Sequence, residues 1–314
     1  MPAPDQIKMT INPWNADKPY DISGMWLAAG VCQQFINRAI SGNKMVGATQ
    51  YMVEKYLRGA SDSSLSILVV GSNEGNMTVG LRGFGFAGHI TETDIADKAM
   101  RRAANRYNSL GLTNITQIQA DLNKVAIAGP FDVIIAEGVL HHIDNIDFCL
   151  DNLLKSLRPN GLLLAVEYIG PIRFQLSDLN LQWINAALDA MPRQLRPFEK
   201  GVRANFPPTA EDAARVYYVV GSEEVIRELD PSEACIGEIL DDRLRSKFDV
   251  LERKGFGGTL LSYMTGHFDF ARSNSDPFAR DWLKCLINLE QTVIQTGILK
   301  DHFCFYALRS PSSG

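Results

Sequence analysis

Four side chains in this sequence are placed to move a proton: Glu137, His141, His142 and Glu167. Glu137 and the two histidines follow the short apolar run Phe131 to Ala136, and Glu167 ends the run from Leu162, both of the kind that forms a buried strand. Imidazole titrates near pH ~6.5, so a histidine offers a neutral base at neutral pH. His141 is the first candidate base. His142 comes second, because adjacent residues of an extended chain point to opposite sides and only one should face a cleft. For the same reason the pair makes poor joint metal ligands, and no metal site is expected. Glu137 could orient an acceptor, bind an ammonium group or cap the next helix. Glu167 could bind substrate hydroxyls or pair with Arg173.

A second group reads as a binding site. Ser66 to Val70 is a β-branched run that turns at Gly71 and Gly75 into a helical stretch. Glycines there let the backbone bend sharply and approach a ligand, and the helix start presents free N–H groups. Asp94 closes the next strand, where a carboxylate can accept bonds from both hydroxyls of a ribose. Asp121 follows the third strand, within reach of an adenine amino group. A dinucleotide loop needs a second glycine to admit a pyrophosphate. Asn73 stands there instead, followed by Glu74, which favours a nucleoside cofactor without phosphates. Tyr51 and Lys55 mimic a dehydrogenase Y-x-x-x-K, but they precede the glycine loop and read as a helical surface.

The elements that must carry these residues alternate. Strands are predicted at 65–70, 88–93, 114–119, 131–136 and 162–167, with helices at 95–110 and 146–157 between them. Such alternation predicts parallel crossovers with helices on both faces. Helices are also predicted over 26–40 and 49–57. Residues 171–242 break the pattern with several prolines, Pro171, Pro192, Pro197, Pro207 and Pro208 among them, and with a helix over 173–188. This insertion is expected to be a lid or a dimer contact. Arg173, Gln175, Asn180, Trp183 and Asn185 could line an acceptor pocket within it. Ser232 and Glu233 of the Asp230–Ala234 stretch read as helix caps, and His267 as a loop residue. A strand at 248–253, a helix at 277–296 and a strand at 303–309 complete the chain.

Composition narrows the partners. The net charge is −5 and no basic run exceeds Arg101-Arg102, so nucleic acid is not an expected partner. No apolar run approaches the ~20 residues of a membrane span. Five scattered cysteines without a C-x-x-C pair suit a reduced cytoplasmic protein, and the first residues lack a signal-peptide pattern.

In motif order the chain resembles the class I S-adenosylmethionine-dependent methyltransferases. Val69 to Gly75 is similar to their glycine loop, Thr93-Asp94-Ile95 to the ribose-binding strand end, and Ala120-Asp121-Leu122 to the adenine-contacting segment. Phe131 to Ile143 is similar to the fourth-strand motif, and Leu154 to Glu167 to the fifth-strand entry. Val69 and Asn73 depart from the pattern, which has an acid and a glycine there. The resemblance implies a Rossmann-like doubly wound α/β sheet of seven strands, mostly parallel, with an antiparallel last strand. N-terminal helices over 1–60 and the insertion at 171–242 would flank a core of 61–170 and 243–314. It implies S-adenosyl-L-methionine held by Gly71, Ser72, Asn73, Gly75, Asp94, Ile95, Asp121, Leu122, Ala136 and Glu137. Further stretches, Glu167 to Gln175, Asp230 to Ala234 and Gly257 to Leu261, are similar to a bacterial subgroup found with glycan and secondary-metabolite genes. A small-molecule or glycan acceptor, O-methylated, is the implied substrate, with a homodimer open. A catalytically degenerate binding protein and an NAD-dependent oxidoreductase are the alternatives from other classes.

Overall fold

The computed structural model describes residues 24–57, 61–196 and 221–311. Its centre is a seven-stranded sheet in the order β3-β2-β1-β4-β5-β7-β6. The strands are β1 (Ser66–Val70), β2 (His89–Asp94), β3 (Ile115–Gln119), β4 (Phe131–Glu137), β5 (Leu157–Tyr168), β6 (Asp249–Gly255) and β7 (Phe303–Arg309). The first five run parallel, and β7 runs antiparallel to β5 and β6. This is the sheet expected from the sequence.

The uniformly apolar strands feed two cores at once. Successive side chains of a strand point to opposite faces. Ile67, Val69, Val133, Ile135, Leu164, Phe305 and Ala307 therefore enter one core, while Leu68, Val70, Ile134, Ala136, Leu163, Cys304 and Tyr306 enter the other. Helices α1 (Gly30–Ser41), α2 (Ala48–Tyr56) and α3 (Asn76–Gly83) cover the first face. Helices α4 (Asp97–Ser109) and α5 (Ile146–Ser156) follow β2 and β4, and α5 supplies Leu150 and Leu153 to the second face. Each fully buried Leu or Ile contributes about 1.5–3 kcal/mol relative to exposure, so two continuous cores dominate stability.

Several boundaries differ from expectation for local reasons. The 26–40 helix is a short 3₁₀ turn over Trp26–Ala28, then α1, because Ala29 is extended. β5 begins at Leu157, five residues early, with a register shift against β4 between Phe131 and Val133. The helix expected at 173–188 starts instead at α6 (Asp178–Asp189). Arg173 and Phe174 have φ of 53° and 55°, which a helix does not accommodate, and Ser177 caps α6 by accepting the Asn180 N–H.

α6 gives Ile184, Ala187 and Leu188 to the first core, together with the long α9 (Pro277–Gln295). Between them lie α7 (Glu223–Leu229) and α8 (Gly237–Lys247), the latter packed on the second face through Leu240 and Leu244. The Gly257–Leu261 stretch wraps a buried acid of α9. The Glu290 carboxylate accepts the N–H groups of Gly258, Leu260 and Leu261 at 2.9, 2.6 and 2.9 Å. Pro197, Pro207 and Pro208, residues 1–23 and 58–60, and the last three residues lie outside the described residues. Among the described residues no helix is long and apolar enough to cross a membrane.

Candidate active site

A cavity opens at the carboxyl ends of β1, β2 and β4, the place where open α/β sheets receive ligands. It is bordered on one side by Gly71, Asn73, Thr93, Asp94 and Ile95, and on the other by Glu137, Val139, His142 and Ser232, with Asp121 and Leu122 on its wall.

The glycine loop is bent as its composition requires. Gly71, Asn73 and Gly75 have φ of +67°, +46° and +75°. A Cβ on Gly71 would lie 2.4 Å from Val139, and one on Gly75 would lie 1.8 Å from the Tyr107 hydroxyl. Asn73 thus holds a left-handed backbone that asparagine tolerates and most residues do not. Its N–H donates to Asp94 Oδ2 at 2.7 Å, while the Ala96 N–H donates to Oδ1 at 2.8 Å. The strand end and the loop are therefore one unit, held through Asp94. Burial pushes the Asp94 carboxyl up, against these hydrogen bonds.

Glu74 behaves differently from expectation. It pairs with Arg102 of α4 at 2.7 Å and does not border the cavity, so its charge is neutralised away from the ligand space. Three other expected contacts also lie off the cavity. Ser72 is buried, Gly75 sits under Tyr107, and Ala136 belongs to the second core. Gly71, Asn73, Asp94, Ile95, Asp121, Leu122 and Glu137 do border it. Asn123 borders it too and was missed by sequence reasoning. It donates from its backbone and its side chain to Asp121 Oδ1, both at 3.0 Å. Burial opposes ionisation of Asp121, but Lys124 at 2.8 Å and Asn123 hold its carboxyl below the ordinary range.

The histidines are arranged against expectation. Leu140–His142 is a 3₁₀ turn, in which successive side chains step around by about a third of a turn rather than alternating. Both rings therefore lie on one side, with centroids 4.2 Å apart and planes tilted by 37°. His142 borders the cavity and His141 does not. His141 is 7% exposed and lies behind it. Its Nδ1 meets Glu167 Oε2 at 2.8 Å.

Glu167 was expected to reach substrate or Arg173. It does neither: its carboxylate has no accessible surface and also accepts the Val139 and Leu140 N–H groups at 3.0 and 2.9 Å. It builds the turn that carries the histidines. Burial alone would lower the pKa of His141, but the hydrogen bond and charge of Glu167, with Glu233 and Asp230, outweigh it and raise the value. For His142, burial and then the charge of His141 win, and its pKa is lowered.

His141, His142 and Glu233 bring one ligand-type atom each within 4.8 Å of one another. The premise that the two rings point apart is thus corrected. Both Nδ1 atoms are already engaged, by Glu167 and Ser232.

Glu137 faces the cavity and is exposed to it, yet protein surrounds it. That concavity pushes its carboxyl up, with the charge of Glu167 adding to the effect. The five insertion residues expected to form an acceptor pocket do not border this cavity. Arg173 is buried and donates to the Glu233 carbonyl at 2.9 Å. Gln175 bonds the Gly221 carbonyl, and Asn180 bonds Thr259. Trp183 packs on the first core.

Residues 68–163, from β1 into β5, match the family described as a methyltransferase domain. Over that span the chain carries a methyltransferase domain. The chain is 26% identical over 137 residues to a malonyl-[acyl-carrier protein] O-methyltransferase of Bacillus cereus, covering 42% of this chain and 50% of that one. It is 30% identical over 116 residues to a ubiquinone biosynthesis O-methyltransferase of Rickettsia prowazekii, covering 37% and 45%. The chain thus spans about half the length of these relatives. Among solved structures it is similar to the [4+2]-cyclase SpnF, with a TM-score of 0.48 and 15% identity over 84% of this chain and 81% of that one.

Proposed function

We propose that this methyltransferase moves a methyl group from S-adenosylmethionine to a hydroxyl of a small-molecule or glycan acceptor, with His142 as the base. The observation that carries this reading is the single cavity that has Asp94 and Asp121 on its lining together with His142 and Glu137. Two relatives, both O-methyltransferases, support transfer to an oxygen atom.

The residues fit the cofactor. Asp94 borders the cavity with its carboxylate oriented by the Asn73 and Ala96 N–H groups, and a carboxylate there can accept from ribose hydroxyls. The Thr93 hydroxyl is fully buried without a protein partner and its residue borders the cavity. Ile95 and Leu122 provide apolar wall for a flat base, and Asp121 an acceptor for an amino group. When bound, the cofactor supplies an electrophilic methyl on a sulfonium, a good leaving group.

The chain's own contribution is alignment and proton removal. His142 is held neutral by its surroundings and can accept a proton from an acceptor hydroxyl. Glu137, with its carboxyl pushed up, can hold a second acceptor hydroxyl or the cofactor's ammonium group. Glu167 and His141 hold the turn in place behind them.

The alternatives weaken at the same loop. A degenerate binding protein was suggested by Val69 and Asn73. Asn73 keeps a left-handed backbone, and Val69 is a core residue. An NAD-dependent enzyme would need a second glycine where Asn73 stands. Calorimetry with S-adenosylmethionine tests the reading. Binding is expected, weakened about 10- to 100-fold in Asp94→Ala, which loses two charge-assisted bonds. Labelled methyl should enter hydroxyl acceptors and drop about 10²- to 10⁴-fold in His142→Ala with cofactor binding retained. A folded protein that does not bind the cofactor overturns it.

A further inference from the structure

The turn at Asp230–Glu233 reaches into the site from outside the matched region. Ser232 borders the cavity, and its Oγ lies 3.1 Å from His142 Nδ1. The same Oγ lies 2.7 Å from Asp230 Oδ1, which also accepts the Ser232 N–H at 2.8 Å. Ser232 and Asp230 are each 8% exposed. Arg173 pins the turn: its backbone N–H donates to the Ala234 carbonyl and its guanidinium to the Glu233 carbonyl, both at 2.9 Å.

A serine hydroxyl has one proton. A carboxylate cannot donate, so the 2.7 Å contact uses that proton toward Asp230. Toward His142 the oxygen is then only an acceptor. The Nδ1 must carry the hydrogen, and the lone pair is left on Nε2. A neutral imidazole free of such a partner divides between two tautomers, and only one offers Nε2 as a base.

We infer that Asp230 and Ser232 are positioning residues that lock His142 in the Nδ1–H tautomer and hold its ring at the cavity. This deepens the reading of His142 as the base and rests on it. It also gives the insertion a task in the site: it supplies the two groups that the methyltransferase core lacks.

The groups that face His142 are His141 on its own turn, Glu167 from β5, and Asp230 and Glu233 from the insertion. Ring 15N–1H correlation spectra of the full chain above pH 7 test the inference directly. The chain has five histidines, and His142→Gln identifies the signal by its loss. Wild type should show Nδ1–H. Ser232→Ala should move the signal toward Nε2–H and lower kcat about tenfold, one weak proton-orienting interaction. KM for the cofactor should not move, and Ser232→Thr should restore both signal and rate.

An Nε2–H signal in wild type, or one unchanged in Ser232→Ala, overturns the inference. If Ser232→Ala does not fold, Asp230→Ala and Ser232→Thr carry the test: the first must shift the signal and the second must keep it. The spectra need neither cofactor nor turnover. Failure to bind cofactor would therefore sink the function and leave the tautomer result readable. Turnover with an unlocked tautomer would sink the positioning role alone.

Discussion

The Glu167 carboxylate lies 2.8 Å from His141 Nδ1 and, through its other oxygen, receives the N–H groups of Val139 and Leu140. One side chain at the end of β5 thereby fixes the backbone and the first ring of the turn beyond β4. Its position makes it a foundation for the site, with the reacting groups one residue away.

Replacing that acid should therefore cost stability. Glu167→Ala leaves buried N–H groups and an imidazole unpaired, a loss of about 3–5 kcal/mol, while Glu167→Gln keeps one acceptor and loses about 1–3. The gap should depend on pH. The pKa of His141 is raised in the fold. The stability it contributes is complete below its unfolded value of about 6.5 and is lost as pH rises through the folded value. Urea titrations should show the wild-type advantage over Glu167→Gln shrinking between neutral and alkaline pH. An advantage independent of pH would mean that His141 is not protonated in the folded protein.

The rate should have an acid limb displaced downward. His142 must be neutral to act, and burial together with His141 lowers its pKa. kcat/KM should hold steady on cooling the pH from 8 toward neutrality and fall only below the ordinary imidazole value of about 6.5. A limb centred above that value would point to another base, such as Glu137, which also borders the cavity.

Gly75 should be far less replaceable than Gly111. Both have positive φ, at +75° and +65°, so alanine strains either by about 1–2 kcal/mol. A Cβ at Gly111 meets nothing within 4 Å, whereas one at Gly75 would strike Tyr107, whose hydroxyl holds the buried Glu92 at 2.5 Å. Gly75→Ala should lower the melting temperature more than Gly111→Ala and weaken S-adenosylmethionine binding; equal effects in both assays would rule out the contact.

Much of this was legible in the sequence because strands buried on both faces must be apolar throughout. The runs around Val70, Ile134 and Leu164 could be read as strands without any partner in view. The cofactor side was legible for the same reason of position: Asp94 and Asp121 stand at strand ends. The catalytic side was not. The order of the two histidines depended on whether the turn after β4 is extended or 3₁₀, which no side-chain period signals over three residues. Glu167 read as a partner of substrate or of Arg173 because it ends a strand, and only the backbone of Val139 and Leu140 folding over it makes it internal. Ser232 and Glu233 read as caps, since a serine that caps a helix and one that hydrogen-bonds a histidine look alike in sequence. Arg173 and Phe174 broke a predicted helix through their left-handed backbone, a choice made by the buried position of Arg173 against the 230–234 turn.

The placement of β7 between β5 and β6 bears on how the molecule reaches this state. Leu162 pairs with Arg309, and Tyr168 with Phe303, across most of the second half of the chain. Until those pairings form, β5 is an unprotected edge carrying Leu163, Leu164 and Ala165, and β6 has no place in the sheet. Non-local pairings of this kind slow folding and leave strand edges open to other chains meanwhile. Glu167 pairs with Cys304 on that edge, so the proton-handling side of the cleft leans on the last strand of the chain, whereas Asp94 ends β2 in the other half of the sheet.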